Sequence, residues 1–324
     1  MPHAIRIHTT GGPEVMSWGE VAVGDPGPGE ARIRHTAVGV NYIDTYHRSG
    51  LYKLPLPAGI GLEAAGVVES VGAGVDWVKP GDRVAYVGGP TGAYSESRVI
   101  PAQHLVKTPE GVADATAATL MLKGLTVQYL LRQTYKANAG DTVLMHAAAG
   151  GVGLIFCQWA RALGVTVIGT VGSDEKAEIA RAHGCTHTIV YTREKFVDRV
   201  KELTGGKGVP VVYDSIGKDT FPASLDCLSP RGLFVSYGSA SGPVPPFDVM
   251  LLAQRGSLYA TRPTLFSHIA TRAALTPAAD EMFALVKAGK IVSEPRQRFP
   301  LKDATAAHRA LESRGTVGAT VLMP

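Results

Sequence analysis

Cysteine is scarce in this chain. Only Cys157, Cys185 and Cys227 occur among 324 residues, and no C-x-x-C pair is present. An odd, scattered set builds no disulfide framework and fits a reducing compartment. A four-thiolate structural zinc is excluded by count alone. A run of one charge sign is also missing: 32 Lys and Arg stand against 28 Asp and Glu, a net charge of +4. Nucleic-acid binders more often show a clustered basic stripe, so nucleic acid is not the expected partner. There is no repeat of fixed period and no low-complexity tract, which leaves solenoid, fibrous and disordered classes without support. With 45% hydrophobic and 19% charged residues, the composition is that of a globular protein. The opening stretch, "MPHAIRIHTTGGPE", has no apolar signal-peptide core, so a cytoplasmic location is expected.

One long apolar run does exist. From Thr142 to Ala160, only His146 and Gln158 bring strongly polar side chains. Length alone would suggest a membrane span. Asp141 and Arg161 bracket it closely, however, and Gly150, Gly151 and Gly153 lie inside it. The run divides naturally into strand, turn and helix. A parallel strand covered on both faces is continuously apolar, so no membrane span is expected.

Three rhythms follow one another along the chain. Roughly the first 120 residues read as β-rich, with short runs such as Ala31–Asn41, Glu63–Gly72 and Asp82–Gly89 punctuated by Gly and Pro. Then strands alternate with helices about 22 residues apart, which implies βαβ units and a doubly wound parallel sheet. In that architecture ligand binds at the carboxyl ends of the strands. From about Thr264 the rhythm changes again. "TPAADEMFALVKAGKI" predicts a helix beginning at Thr276, "LKDATAAHRALESRG" a second, and "GATVLMP" a closing strand.

The glycine cluster has the pattern Ala148-x-Gly150-x-x-Gly153, between a strand-like and a helix-like run. Gly150 allows the backbone to approach a pyrophosphate, and Gly153 allows the helix to pack closely on the strand. Free amides at the helix N-terminus then face the anion. The strand before and the helix and strand after supply the context such a pattern requires.

At this point the sequence resembles a known family. "GDTVLMHAAAGGVGLIFCQWAR" is similar to the quinone oxidoreductase, or zeta-crystallin-like, signature of the medium-chain dehydrogenase/reductase superfamily. It carries Gly140-Asp141, Leu144, Ala148-Ala149-Gly150-Gly151, Gly153, Gln158 and Arg161 at the family spacing. "GVNYIDTYHRSGLY", "GLEAAGVVESVG", "VVYDSIG" and "LYATRPTL" also resemble family segments, so the likeness covers essentially the whole chain. It is particularly close to the bacterial NADPH:quinone reductases. The resemblance implies an α/β protein with a GroES-like catalytic domain in two sequence pieces, 1–124 and 265–324, and a Rossmann domain of a doubly wound parallel sheet, 125–264, between them. It also implies a nicotinamide in the interdomain cleft, and homodimers that pair the cofactor domains.

Zinc alcohol dehydrogenases of that superfamily carry Cys where this chain has Asn41 and His where it has Leu62. Asp44 and Glu63 remain, but no three-ligand set survives, so no metal is expected. Without a Lewis acid the better substrate is one that already accepts hydride, such as a quinone or a conjugated carbonyl. The protein then has mainly to hold nicotinamide and acceptor together. By family match, Asn41, Asp44 and Tyr46 lie in the segment that borders the nicotinamide in relatives. Tyr52 contacts substrate or donates a proton, which makes Asn41, Tyr46 and Tyr52 the catalytic candidates. Thr126 and Lys123 fall near the domain junction. The competing reading has the tyrosines packing an interior edge and Lys123 solvated.

Cofactor residues follow the same logic. Gly150, Gly151, Val152 and Gly153 form the turn. The next strand ends "IGTVGSDEK", and Val171 stands where NAD-dependent relatives have Asp. Loss of that carboxylate removes repulsion against a 2′-phosphate, so NADPH is the expected cofactor. Gly172 and Ser173 offer small polar contacts, Lys176 a cation, and Tyr191 a ring or hydroxyl. Asp174 reads as a helix-opening residue rather than a ribose acid. Ser215 and Gly217 follow the fourth strand, and Tyr237 and Ser239 the fifth. Arg262 begins the return to the catalytic domain, with a structural ion pair as its alternative role. The function expected is zinc-free, NADPH-dependent quinone reduction. An alkenal or enone reductase on the same scaffold is one alternative. A nucleotide-binding protein with a structural or RNA-binding role is another.

Overall fold

The computed structural model describes residues 1–313 and 315–324. Met1–Leu125, Ile269–Gly289 and Ser293–Pro324 form one compact unit. Thr126–His268 and Lys290–Val292 form another.

The first unit begins with β1 (His3–Ile7), β2 (Met16–Glu20) and β3 (Glu30–Val40). Helix α1 (Tyr42–Ser49) is followed by β4 (Ala58–Gly59), β5 (Glu63–Val71), β6 (Arg83–Val87), β7 (Ser97–Pro101) and β8 (Leu105–Lys107). Helix α2 (Asp114–Tyr129) comes next. The second unit contains β9 (Thr142–Met145), α3 (Gly151–Ala162), β10 (Thr166–Val171) and α4 (Asp174–Ala182). It continues with β11 (His187–Val190), α5 (Phe196–Leu203), β12 (Val209–Asp214), β13 (Leu228–Ser236), α6 (Met250–Gln254) and β14 (Tyr259–Thr261). Helix α7 (Leu265–His268) closes it. The chain ends with α8 (Arg272–Lys287), β15 (Gln297–Pro300), α9 (Ala304–Glu312) and β16 (Thr320–Met323).

In the first unit, β2-β1-β4 make a small antiparallel sheet. The larger sheet runs β15-β16-β3-β5-β6-β8, with β7 also paired to β3. Strand β3 alternates buried and more exposed residues along its first half, as a sheet with one covered face requires. Its inward side chains, Ile33 and Val38, pack with Ile5, Ile7, Val84, Tyr86, Tyr94 and Ile100. The N-terminal part is β-rich, as expected, and also contains α1 and the start of α2.

In the second unit every pairing of the six-stranded sheet is parallel, in the order β11-β10-β9-β12-β13-β14. Counted from β9 as the first, that is 3-2-1-4-5-6, the doubly wound order, and it sends all carboxyl ends to one edge. The apolar run from Thr142 is therefore β9, a turn and α3, with Val143, Leu144 and Met145 fully buried. Among the described residues no helix is long and apolar enough to cross a membrane.

One predicted boundary is corrected. Helix α8 starts at Arg272, not at Thr276, because the Thr271 hydroxyl accepts the Ala274 N–H at 3.3 Å and caps the helix there. Pro277 then lies inside the helix instead of opening it.

Candidate functional site

In the second unit, the turn after β9 is built to bring backbone close to backbone. Ala147 takes a left-handed φ of 56°, and Gly150 is the extended N-cap of α3. A Cβ on Gly153 would overlap the Ala147 carbonyl oxygen and lie 2.6 Å from the Ala148 carbonyl carbon. Only glycine lets α3 start this close to the strand. A Cβ on Gly150 would stand 3.1 Å from the Ala147 oxygen, so that position also has little room. The first intrahelical bond is Leu154 N to Gly150 O, 2.9 Å, which places the amides of Gly151, Val152 and Gly153 ahead of the ladder. Amides in that position form an anion site. The geometry fits a dinucleotide pyrophosphate.

Strand β10 ends on buried Val171. A Cβ on the next residue, Gly172, would come 2.9 Å from the Tyr191 hydroxyl, so the two are neighbours. Ser173 caps α4, accepting the Lys176 N–H at 3.3 Å. Asp174 is the first residue of α4, and Arg193 holds both its oxygens at 2.5 and 2.6 Å. The Arg193 hydrogen bond keeps this carboxyl below its ordinary range. The edge thus carries Lys176, Tyr191 and Arg193, with the Asp174 carboxylate already engaged. Arg193 was not singled out from the sequence. Its only signal is its place two residues after Tyr191, beyond the end of β11.

Behind the remaining strand ends lies a buried polar network that the sequence also did not reveal. Asp214 Oδ1 accepts Ile216 N at 2.8 Å and Gly217 N at 3.0 Å; Oδ2 accepts the hydroxyls of Thr220 at 2.6 Å and Ser224 at 3.0 Å. His146 bridges Ser224 at 3.0 Å and Thr170 at 2.9 Å, and burial pushes its pKa down. This network fixes the Ser215–Gly217 turn to β9, β10 and β12. Tyr237 N bonds Asp214 O at 2.8 Å, and burial raises the Tyr237 phenol. Ser239 is buried, and a Cβ on Gly217 would overlap the Gly242 carbonyl oxygen. Arg262 Nη1 donates to Ser236 O at 2.8 Å. Thr126 is buried near the start of this unit.

In the first unit, Asn41 stands where β3 gives way to α1. Its N–H donates to Asp44 Oδ2 at 2.8 Å, and Asp44 N donates back to Asn41 O at 3.1 Å. The Asn41 side chain meets two charged residues. Nδ2 donates to Glu63 Oε1 at 2.7 Å, while Oδ1 accepts from Lys123 Nζ at 2.7 Å. Lys123 also donates to Glu63 Oε1 at 2.9 Å and to Val40 O at 3.2 Å. Leu122 N occupies Glu63 Oε2 at 2.6 Å. Glu63, Asn41 and Lys123 are only 0%, 5% and 6% exposed. The solvated-lysine reading of Lys123 is therefore wrong: α2 turns it inward onto a carboxylate. Gly39 leaves room for this, since a Cβ there would overlap Glu63 Oε1.

Asp44 is buried, and burial pushes its carboxyl up to about 7. The Asn41 N–H and the Tyr94 hydroxyl, 2.9 Å from Oδ2, oppose that rise. Tyr46 is half-buried and Tyr52 is 37% exposed. The Tyr52 ring packs edge-on against Tyr46, with centroids 5.3 Å apart, and against His47 at 5.9 Å. Asn41, Asp44, Tyr46 and Tyr52 thus gather around α1. The positions of the missing zinc ligands hold Asn41, bound as described, and buried Leu62. Among the described residues no group of three or more His, Cys, Asp or Glu side chains could hold a metal ion.

Comparison with known proteins agrees with this architecture. Residues 27–110 match the alcohol dehydrogenase GroES-like domain, and residues 151–279 match the family described as zinc-binding dehydrogenase. The quinone oxidoreductase of Pseudomonas aeruginosa is 55% identical over 100% of both chains. A 2-haloacrylate reductase from a Burkholderia species is 51% identical, over 100% of this chain and 99% of that one. The crystal structure of Escherichia coli quinone oxidoreductase complexed with NADPH superposes with a TM-score of 0.97 at 50% identity, covering 99% of this chain and 100% of that one. A GroES-like domain joined to a Rossmann domain, with full-length identity at this level, is decisive: the chain belongs to the quinone oxidoreductase family of the medium-chain dehydrogenase/reductase superfamily.

Proposed function

We propose that this oxidoreductase reduces quinones with NADPH and without a metal ion. The observation that carries the cofactor is the end of β10. Tyr191 adjoins Gly172, Lys176 lies in the first turn of α4, and the acid that opens α4, Asp174, is held by Arg193. A 2′-phosphate finds cations there, with the Asp174 carboxylate already paired. The amides of Gly151, Val152 and Gly153 receive the pyrophosphate. The Ser215–Gly217 turn, Tyr237, Ser239 and Thr126 hold the nicotinamide half.

NADPH supplies the hydride when bound. The chain's own work is to orient, to exclude water and to supply polar groups to the acceptor. Asn41 offers an amide donor to a carbonyl oxygen. Tyr46 and Tyr52 offer phenols, one of which returns the proton that a reduced quinone needs. Metal independence is supported by Lys123, whose ammonium already occupies the oxygen set of Val40, Asn41 and Glu63. A cytoplasmic location is supported by three free, buried cysteines. A homodimer is supported by β14, the last strand of the sheet, where Tyr259 is 60% exposed, and by the exposed Val249 and Met250 at the start of α6. Sedimentation as a monomer at working concentration would remove that assembly.

The deciding experiment follows NADPH oxidation by chelator-treated protein with a benzoquinone, a phenanthrenequinone, an enone and a 2-haloacrylate, using NADH as control. Quinone turnover that prefers NADPH is expected. Turnover with the unsaturated acceptors alone would assign the chain to alkene reduction. NADPH binding without turnover on any acceptor would overturn an enzymatic role.

A further inference from the structure

We infer that Lys123 and Glu63 act together as positioning residues that fix which way the Asn41 amide faces. The inference rests on the reading of Asn41 as a residue that touches cofactor or substrate. An ammonium group only donates, so the atom of Asn41 facing Lys123 at 2.7 Å must be its oxygen. An ionised carboxylate only accepts, so the atom facing Glu63 Oε1 at 2.7 Å must be its nitrogen. The two contacts name the same orientation, and the reverse orientation would set donor against donor and acceptor against acceptor.

The pair is itself held in place. Lys123 Nζ meets three acceptors: Val40 O, Asn41 Oδ1 and Glu63 Oε1. Glu63 Oε2 is pinned by the backbone N–H of Leu122, the residue before Lys123. None of the three side chains has the exposure that water would need to substitute for these bonds. One hydrogen of Asn41 Nδ2 is committed to Glu63. The other is the group the arrangement presents, an N–H suited to a carbonyl oxygen. Two carbonyl classes meet that description: the carboxamide of a nicotinamide and the ketone of a quinone.

The test is the double substitution K123M with E63Q. It removes one cation and one anion, so no buried charge is left unpaired. Leu122 N–H still requires an oxygen, so the amide nitrogen introduced by E63Q takes the place of Oε1. A donor there turns the Asn41 amide over and withdraws its N–H. The expected result is a melting transition close to the parent protein with kcat lowered about 10- to 100-fold, as for a misplaced hydrogen-bond donor. The isotope effect on kcat with deuterated reduced cofactor should rise, because hydride transfer becomes slower than product release. A purely structural role would change the melting transition and leave that isotope effect alone. Weaker NADPH binding by fluorescence titration would identify the carboxamide as the partner. Unchanged NADPH binding with a raised quinone KM would identify the quinone.

Parent-like kcat and isotope effect in the double variant would overturn the inference. Asn41→Ala separates this from the underlying reading: if it also turns over normally, Asn41 is not in the site at all. Should the K123M and E63Q pair fail to fold, N41D with E63Q keeps one anion beside Lys123 and replaces the presented N–H by an oxygen. The same loss of kcat is expected there, and normal turnover again overturns the proposal.

Discussion

The Tyr94 hydroxyl donates to Asp44 Oδ2 at 2.9 Å, and that single bond is the end of a buried chain whose proton order is fixed. Arg48 Nη1 can only donate, so His308 Nδ1, 3.0 Å away, accepts. The His308 proton then sits on Nε2 and points to the Tyr94 oxygen at 3.0 Å. Tyr94 has its own hydrogen left for Asp44. Burial and the neighbouring Arg48 cation push His308 down to about 3, which keeps it in this neutral form. The chain ties α9 to α1, the helix around which Asn41, Asp44, Tyr46 and Tyr52 gather.

Asp44 gives a prediction for stability against pH. Its folded pKa is raised from 3.8 to about 7, chiefly by burial, with Glu63 adding to the rise and Lys123 opposing it. The folded state therefore binds the proton more tightly than the unfolded chain does. The stabilisation is complete below pH 3.8 and is lost as pH climbs to about 7. Asp44→Asn keeps an acceptor for both donors and removes the titration. Unfolding free energies of parent and variant should diverge across that window, by on the order of 4 kcal/mol, in favour of the variant at high pH. Parallel curves in denaturant titrations would show that Asp44 does not titrate there.

Gly153→Ala should damage the dinucleotide turn. The added methyl overlaps the Ala147 carbonyl oxygen, and backbone on both sides has to move. A loss of about 1–3 kcal/mol in stability is expected, as for overpacking elsewhere. NADPH affinity should fall with it, because the α3 amides shift relative to the strand. Calorimetric titration together with thermal melting checks both.

Arg193→Ala should reduce the preference for NADPH over NADH. It removes a cation from the end of β10 and at the same time releases the Asp174 carboxylate from its pair. The ratio of kcat/KM values for the two cofactors should drop about tenfold or more, as for loss of a charge-assisted contact. An unchanged ratio would place Arg193 outside the phosphate site.

Chelation should leave quinone reduction unaffected. Lys123 already supplies the cation to the buried oxygen set beside Asn41, and its ammonium fills that set. Metal analysis of active protein after exhaustive dialysis against a chelator, compared with its turnover before dialysis, checks this. Activity that falls with chelation and returns with zinc would contradict it.

Much of the fold was legible because it is written locally. The change from short, Gly- and Pro-punctuated runs to alternating strands and helices separates the two sheet types by the faces they cover. The run from Thr142 to Ala160 was readable as strand, turn and helix because its glycines fall where those elements meet. The absence of Cys at 41 and His at 62 needed no structure at all. Helix α8 was placed late because Thr276-Pro277 is as good a start signal as Thr271, and only the observed cap decides between them.

The sequence by itself determined the doubly wound sheet, the glycine turn and the residues available at the strand ends, because backbone periodicity and turn chemistry act over a few neighbours. The tertiary structure alone decided the partners of the charged and polar side chains. Lys123 meets Asn41 across 82 positions, Asp174 meets Arg193 across 19, and Tyr94 meets His308 across 214. A lysine bound for a buried carboxylate has the same local signature as one bound for water. What separates them is whether distant elements close around it, and that is a property of packing rather than of sequence neighbourhood.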